Sequence, residues 1–126
     1  MRRNLTKPER LGKLSDIKRT FASGKRYSIP GAKLVFIANN LGFSRFMVTL
    51  VKGYGNSIQR NRAKRIAREV YRLNKHRITP GFDIVVVFFP NQDQFTSRER
   101  QMIKLFRRAG LYPIKGEQRN QHEATG

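Results

Sequence analysis

Between Pro80-Gly81 and Pro90 the chain runs FDIVVVFF, Phe82–Phe89, and no other stretch constrains the fold as strongly. An almost unbroken apolar run of strand length has no face to offer water. It is therefore read as an interior β-strand that other elements cover. Lys33–Ala38 (KLVFIA) is rich in branched and aromatic residues and is read as another strand. Asn39-Asn40-Leu41-Gly42 is a tight connection to a third, Phe43–Val51 (FSRFMVTLV), and these two are expected to form an antiparallel hairpin. In the third, Phe46, Val48 and Leu50 alternate with Met47, Thr49 and Val51, so both of its faces are partly covered.

Helices account for much of the rest. From about Gly12 to Ala22, Leu11, Leu14, Ile17 and Phe21 fall on one apolar stripe, with Lys13, Lys18 and Arg19 off it. Ser23-Gly24 is read as its stop, with the glycine left-handed. Lys25–Gly31 is mixed and ends in the turn Ile29-Pro30-Gly31, leaving room for a short strand near Arg26–Ser28. A last helix is expected from Gln94 or Phe95 to Ala109, with Phe95, Met102, Leu105, Phe106 and Ala109 inward and Arg98, Lys104, Arg107 and Arg108 outward. The 126 residues suit one core. The expected architecture is α+β, ordered α-β-β-β-α-β-α, over residues 9–112, with a basic arm at 1–8 and a disordered tail at 113–126.

Charge points to the partner. Twenty-seven Lys and Arg face eight Asp and Glu, for a formal charge of +19. Such an excess repels itself on folding, and a polyanion relieves that repulsion. The absence of cysteine excludes disulfides, thiolate metal sites and thiol nucleophiles. No apolar run approaches the roughly 20 residues that span a bilayer. Met1–Pro8 has no apolar segment of the secretory kind, so a soluble cytoplasmic protein without membrane contact is expected.

The most informative helix is capped by Asn56 or Ser57 and extends to about Asn74. At 100° per residue, Ala63, Ile66, Ala67, Val70 and Leu73 gather on one side. Arg60, Lys64, Arg68 and Arg72 step around the other, and Arg62 and Arg65 widen the arc. Like charges at this spacing cost a few tenths of a kcal/mol per pair, and Glu69 alone offsets them. A cationic face so poor in acid suits phosphate, which the planar guanidinium matches in bidentate fashion. Asn61, among the arginines, is read either as a contact to a 2′-hydroxyl or base edge, or as surface filling. Tyr71 is read as packing the stems near Arg60 and Lys64.

Gly55-Asn56-Ser57-Ile58-Gln59-Arg60-Asn61-Arg62-Ala63-Lys64-Arg65-Ile66-Ala67-Arg68 resembles the RNR box of the bacterial ribonuclease P protein family, which follows a Gly-Asn turn. The similarity extends to Leu11, Asp16-Ile17, Phe21 and Gly24 before it, and to Asp83–Val87, Leu105–Arg108 and Leu111-Tyr112 after it. The resemblance implies a mixed four-stranded sheet with a left-handed βαβ crossover, against the usual hand. It implies that the chain assists endonucleolytic removal of the 5′ leader from precursor tRNA, as the non-catalytic subunit beside a catalytic RNA. Arg60, Asn61, Arg62, Lys64, Arg65 and Arg68 would contact that RNA, while Phe21, Phe36 and Lys52 would line a cleft for the leader. Both phenylalanines read equally well as plain core residues. By the same resemblance the protein binds no cofactor, the RNA requires magnesium, and no protein partner is needed. Ile17, Gly53 and Phe89 depart from the family's usual aromatic, lysine and arginine at those places.

The residues themselves offer no nuclease centre. His122 lies near the C-terminus and His76 near a basic helix end, where histidine commonly serves the helix dipole. The acids Glu9, Asp16, Glu69, Asp83, Asp93 and Glu99 are scattered, without a closely spaced pair for metal ions. A ribosomal or RNA-chaperone protein, and a protein-only nuclease using His76 or Asp83, are the competing readings.

Overall fold

The computed structural model describes residues 7–91 and 93–113. The expected arm and tail lie outside these residues, save for Lys7, Pro8 and Pro113. A 3-10 turn at Lys7–Glu9 precedes helix α1 (Leu14–Ser23), strands β1 (Lys25–Ile29), β2 (Ala32–Ala38) and β3 (Arg45–Leu50), helix α2 (Ser57–Asn74), strand β4 (Phe82–Phe88) and helix α3 (Phe95–Arg108). The sheet order is β1-β2-β4-β3. β4 pairs antiparallel with β2 and parallel with β3, so the apolar run does lie inside the sheet.

That placement overturns the expected hairpin between β2 and β3. β4 lies between them, and β2 forms its hairpin with β1 instead, with Ile29 opposite Ala32 across the Pro30-Gly31 turn. Gly31 adopts φ +91, a value that strains any residue with a side chain. The physical reason is burial. At the sheet edge, β4 would leave an apolar strand and its backbone groups open. Residues 39–44 need bridge only two strand spacings, about 10 Å, to pass its end.

The faces of the sheet are covered unequally. Leu34, Phe36, Phe46, Val48, Ile84, Val86 and Phe88 meet Ala63, Ala67 and Val70 of α2 and Met102, Leu105 and Phe106 of α3 in one large core. On the opposite face Val35, Val85 and Val87 meet Leu11, Ile17 and Phe21 beside α1, while Met47 and Val51 stay half-buried. β3 and β4 are parallel and joined through α2, the crossover to which the resemblance assigns a left hand. Gly24, read as a left-handed helix stop, has extended backbone at φ −77. Its need is for space: a Cβ there would lie 2.5 Å from the Thr20 carbonyl oxygen and 2.8 Å from that of Phe36.

Two polar networks tie these layers together. The buried Asp83 carboxylate accepts from Arg45 Nε and Nη2, both at 2.7 Å, from Asn39 Nδ2 at 2.9 Å and from Arg19 Nη2 at 3.3 Å. Arg45 also reaches Asp16 at 3.2 Å, so α1, β3 and β4 are held at one point. Arg98 corrects the outward reading of α3: it is 0% exposed. Its guanidinium donates to Asp93 (3.0 Å), the Tyr54 hydroxyl (2.7 Å), Gln101 (2.8 Å) and the carbonyls of Gly31 (3.0 Å) and Phe89 (2.8 Å). It also lies 3.9 Å from the Phe88 ring centroid. A buried cation is tolerable only when its donors are satisfied in this way.

Candidate nucleic-acid interface

α2 begins with a capping box. The Asn56 side chain accepts from the Gln59 amide at 2.9 Å, and the Gln59 side chain accepts from the Asn56 amide at 3.0 Å. Asn56, not Ser57, is thus the cap. Gly55 precedes it because a Cβ there would lie 2.4 Å from Gln59 Oε1. The Gly-Asn turn is the chemistry that starts the helix.

Ala63, Ala67, Val70 and Tyr71 are buried, and their small or flat side chains bring α2 close to its neighbours. Ile66 and Leu73, expected on the same side, are half-buried at its margin. Tyr71 is a further correction. It stacks on Phe46 at 4.2 Å between centroids, 3% exposed, where burial and then the Glu9 charge push its hydroxyl pKa well up. By helical geometry Arg60, Lys64 and Arg68 lie on the flank that carries Tyr71, toward β3. Arg62 lies on the other flank, where its Nε donates to the Asp93 carbonyl at 3.2 Å. Asn61, Arg62, Arg65 and Arg68 are exposed; Arg60 and Lys64 are half-buried.

Arg65 and Arg68 line a groove of about 720 Å³ whose other walls include Arg10, Arg72, Phe46 and Val48. β3 is an edge strand. Val51 N–H turns inward to the Phe88 carbonyl, so Phe46 and Val48, on the other parity, turn their backbone groups outward. The Leu11 amide takes the Phe46 carbonyl at 3.0 Å, and the strand continues past it as a wall of the cationic groove. Arg10 was not foreseen here, because only chain folding brings it to α2.

The carboxylates decide what these cations can do. Among the described residues, Glu9 pairs with Lys75, Asp16 and Asp83 with Arg45, Glu69 with Arg72 and Asp93 with Arg98, while Glu99 accepts from Asn74. The Arg72 hydrogen bond holds the Glu69 carboxyl below its ordinary pKa. None of these acids is spent on Arg60, Arg62, Lys64, Arg65 or Arg68. Apart from Arg72, the described cations of the α2 face therefore have no carboxylate counter-charge, a surface fitted to phosphate.

The other expected site residues are not brought together. Phe21 is half-buried on the α1 face of the sheet. Phe36 is 6% exposed on the opposite face, between Tyr27 and Phe82, and shares no cleft with Phe21. Residue parity explains the split: Phe36 follows Val35, and neighbours on a strand point to opposite faces. Lys52 is exposed in the β3–α2 loop. Asp83, the carboxylate of the protein-only nuclease reading, is enclosed by Arg45, Asn39 and Arg19, whereas His76 is exposed in the turn Lys75–Arg77. They form no joint site.

The family model for ribonuclease P matches residues 5–110. The chain belongs to the ribonuclease P protein family. A ribonuclease P protein component from Clostridium novyi is 35% identical over 114 residues, covering 86% of this chain and 99% of that one. Another, from Natranaerobius thermophilus, is 32% identical over 103 residues, covering 80% and 90%. The solved RNase P protein from Thermotoga maritima is similar with a TM-score of 0.72 at 29% identity, covering 79% of this chain and 96% of that one. This ribonuclease P protein is the protein subunit of a tRNA 5′-processing ribonucleoprotein, with an RNA-binding role. No described helix is long and apolar enough to cross a membrane.

Proposed function

We propose that the α2 face binds the catalytic RNA of ribonuclease P, through Arg60, Asn61, Arg62, Lys64, Arg65 and Arg68, and that the chain thereby promotes removal of the 5′ leader from precursor tRNA. One observation carries this reading: among the described residues no carboxylate pairs with Arg60, Arg62, Lys64, Arg65 or Arg68 of α2, and Glu69, the acid of that helix, is taken by Arg72. Such contacts supply affinity and orientation, and an RNA partner supplies sequence information by base pairing and shape. Magnesium belongs with the RNA in this scheme.

The leader lies along the thinly covered α1 side of the sheet, where Phe21 offers a ring, and the exposed Lys52 of the β3–α2 loop offers it a charge; a ring and a cation suit an unpaired strand of variable sequence. Phe36, on the far face, takes no part. The test combines purified protein, a bacterial ribonuclease P RNA and precursor tRNA at low magnesium. Stimulated 5′ cleavage is the expected result, and no stimulation removes the proposal. In the same assay Phe21→Ala should weaken binding of leader-bearing precursor more than of mature tRNA; equal losses would return Phe21 to a packing role alone.

A further inference from the structure

A second cationic surface lies on α3, away from the RNR-like helix face. Arg100, Lys104, Arg107 and Arg108 are exposed, on the side turned away from buried Met102, Leu105 and Phe106. They line a groove of about 700 Å³ whose walls also include Asn74 of α2 and Tyr112. The groove shares none of these residues with the one lined by Arg65 and Arg68. Arg107 lies 5.7 Å from the Tyr112 ring centroid, as does Arg77, so one aromatic ring gathers two guanidiniums at this end.

The charge is uncompensated. Glu99 is the one acid lining the groove, and its carboxylate accepts from Asn74 Nδ2 at 3.1 Å. Among the described residues, Arg100, Lys104, Arg107 and Arg108 have no ion pair. Lys104 stands four residues from both Arg100 and Arg108 and three from Arg107, spacings at which like charges repel. A solvated helix normally places acids among such bases, and α3 carries one acid, Glu99, in Phe95–Arg108. The occupant that removes this repulsion is a polyanion.

We propose that the outer face of α3 is a second phosphate-binding surface, which holds the sugar–phosphate backbone of an RNA segment separate from the one on α2. It rests on the RNA-binding reading above and extends it: the two basic grooves grip RNA at two places and so fix its orientation on the protein. Binding there is electrostatic and blind to base sequence.

The fourfold variant Arg100→Gln, Lys104→Gln, Arg107→Gln and Arg108→Gln tests this, because every changed side chain is exposed. Its affinity for a bacterial ribonuclease P RNA and for precursor tRNA is titrated across salt concentrations, beside Arg65→Ala/Arg68→Ala. The α3 variant should lose at least tenfold in affinity for one of these RNAs at about 0.1 M salt, and its log–log salt slope should fall by about 3. Wild-type affinity and slope for both RNAs would overturn the proposal. If the α2 variant alone is weakened, the α2 reading survives without this one; if neither is weakened, both fall.

A second measurement does not rely on the variant's fold. The chain has no cysteine, so Lys104→Cys and Asn61→Cys each create a single attachment point for an iron chelate that cleaves nearby RNA. Cleavage from position 104 in a segment untouched from position 61 supports two surfaces. No cleavage from 104, or cleavage in the same segment, overturns them.

Discussion

Asp83 places a charge at the start of the most apolar strand in the chain, and its surroundings explain how this is tolerated. Burial pushes its carboxyl pKa up, but hydrogen bonds from Arg45 and Asn39, with the charges of Arg45 and Arg19, outweigh that effect and hold it below the ordinary value. Unfolding releases the carboxyl to an ordinary value, so the unfolded chain binds its proton at higher pH than the native one. The network therefore stabilises above about pH 4 and is lost as pH falls through the depressed native value. Asp83→Asn should cost about 3 kcal/mol near neutrality, the lower end for a broken buried pair because Arg45 retains Asp16. The gap from wild type should narrow below about pH 4 in denaturant titrations; a gap constant from pH 7 to 2.5 would show that the charge is not what matters. Arg98 shows the limit of reading residue type. Its spacing of four to Met102 and seven to Leu105 places it on the core stripe of α3, yet arginine suggests solvent. The partners that make burial tolerable, Tyr54, Asp93 and the Gly31 carbonyl, come from three other parts of the chain.

At the scale of elements, helix boundaries and types were largely legible because caps and periodicity are local. α2 is the clearest case, with its Gly55-Asn56 start and its run to Asn74. Strand partners were not. Residues 33–38 and 43–51 look like consecutive arms of a hairpin, but pairing is settled by which strand most needs the interior, and β4 lies more than 30 residues further on. The two faces of α2 were legible for the same local reason as its ends. Removing charge from its outer face should therefore act through electrostatics rather than folding. Arg65→Ala/Arg68→Ala is expected to weaken ribonuclease P RNA binding at low salt and to flatten the log–log salt slope by about 1.5. Melting should be nearly unchanged, since exposed substitutions cost about 0.5 kcal/mol or less. A lowered affinity with an unaltered slope would mean that these arginines do not neutralise phosphates.

For the whole molecule, the formal charge of +19 is carried by a fold in which Glu9, Asp16, Asp83 and Asp93 are turned to holding separate segments together. Repulsion among the remaining exposed cations opposes folding and is screened by salt, while the buried Asp83 and Arg98 pairs are screened far less. The melting temperature should therefore rise between about 0.05 and 0.5 M salt, and rise again when RNA binds the native state. A melting temperature that falls over that range would mean that surface ion pairs outweigh repulsion. The amino-acid order alone determined the α+β class, the interior strand, the capped basic helix and the kind of partner, since each follows from residues a few positions apart. Tertiary structure alone decided that β4 parts β2 from β3, that Phe36 faces away from Phe21, that Arg98 is buried and that Arg10 joins Arg65 and Arg68. Those outcomes depend on burial and charge pairing between distant segments, and such energies are set only when the segments meet.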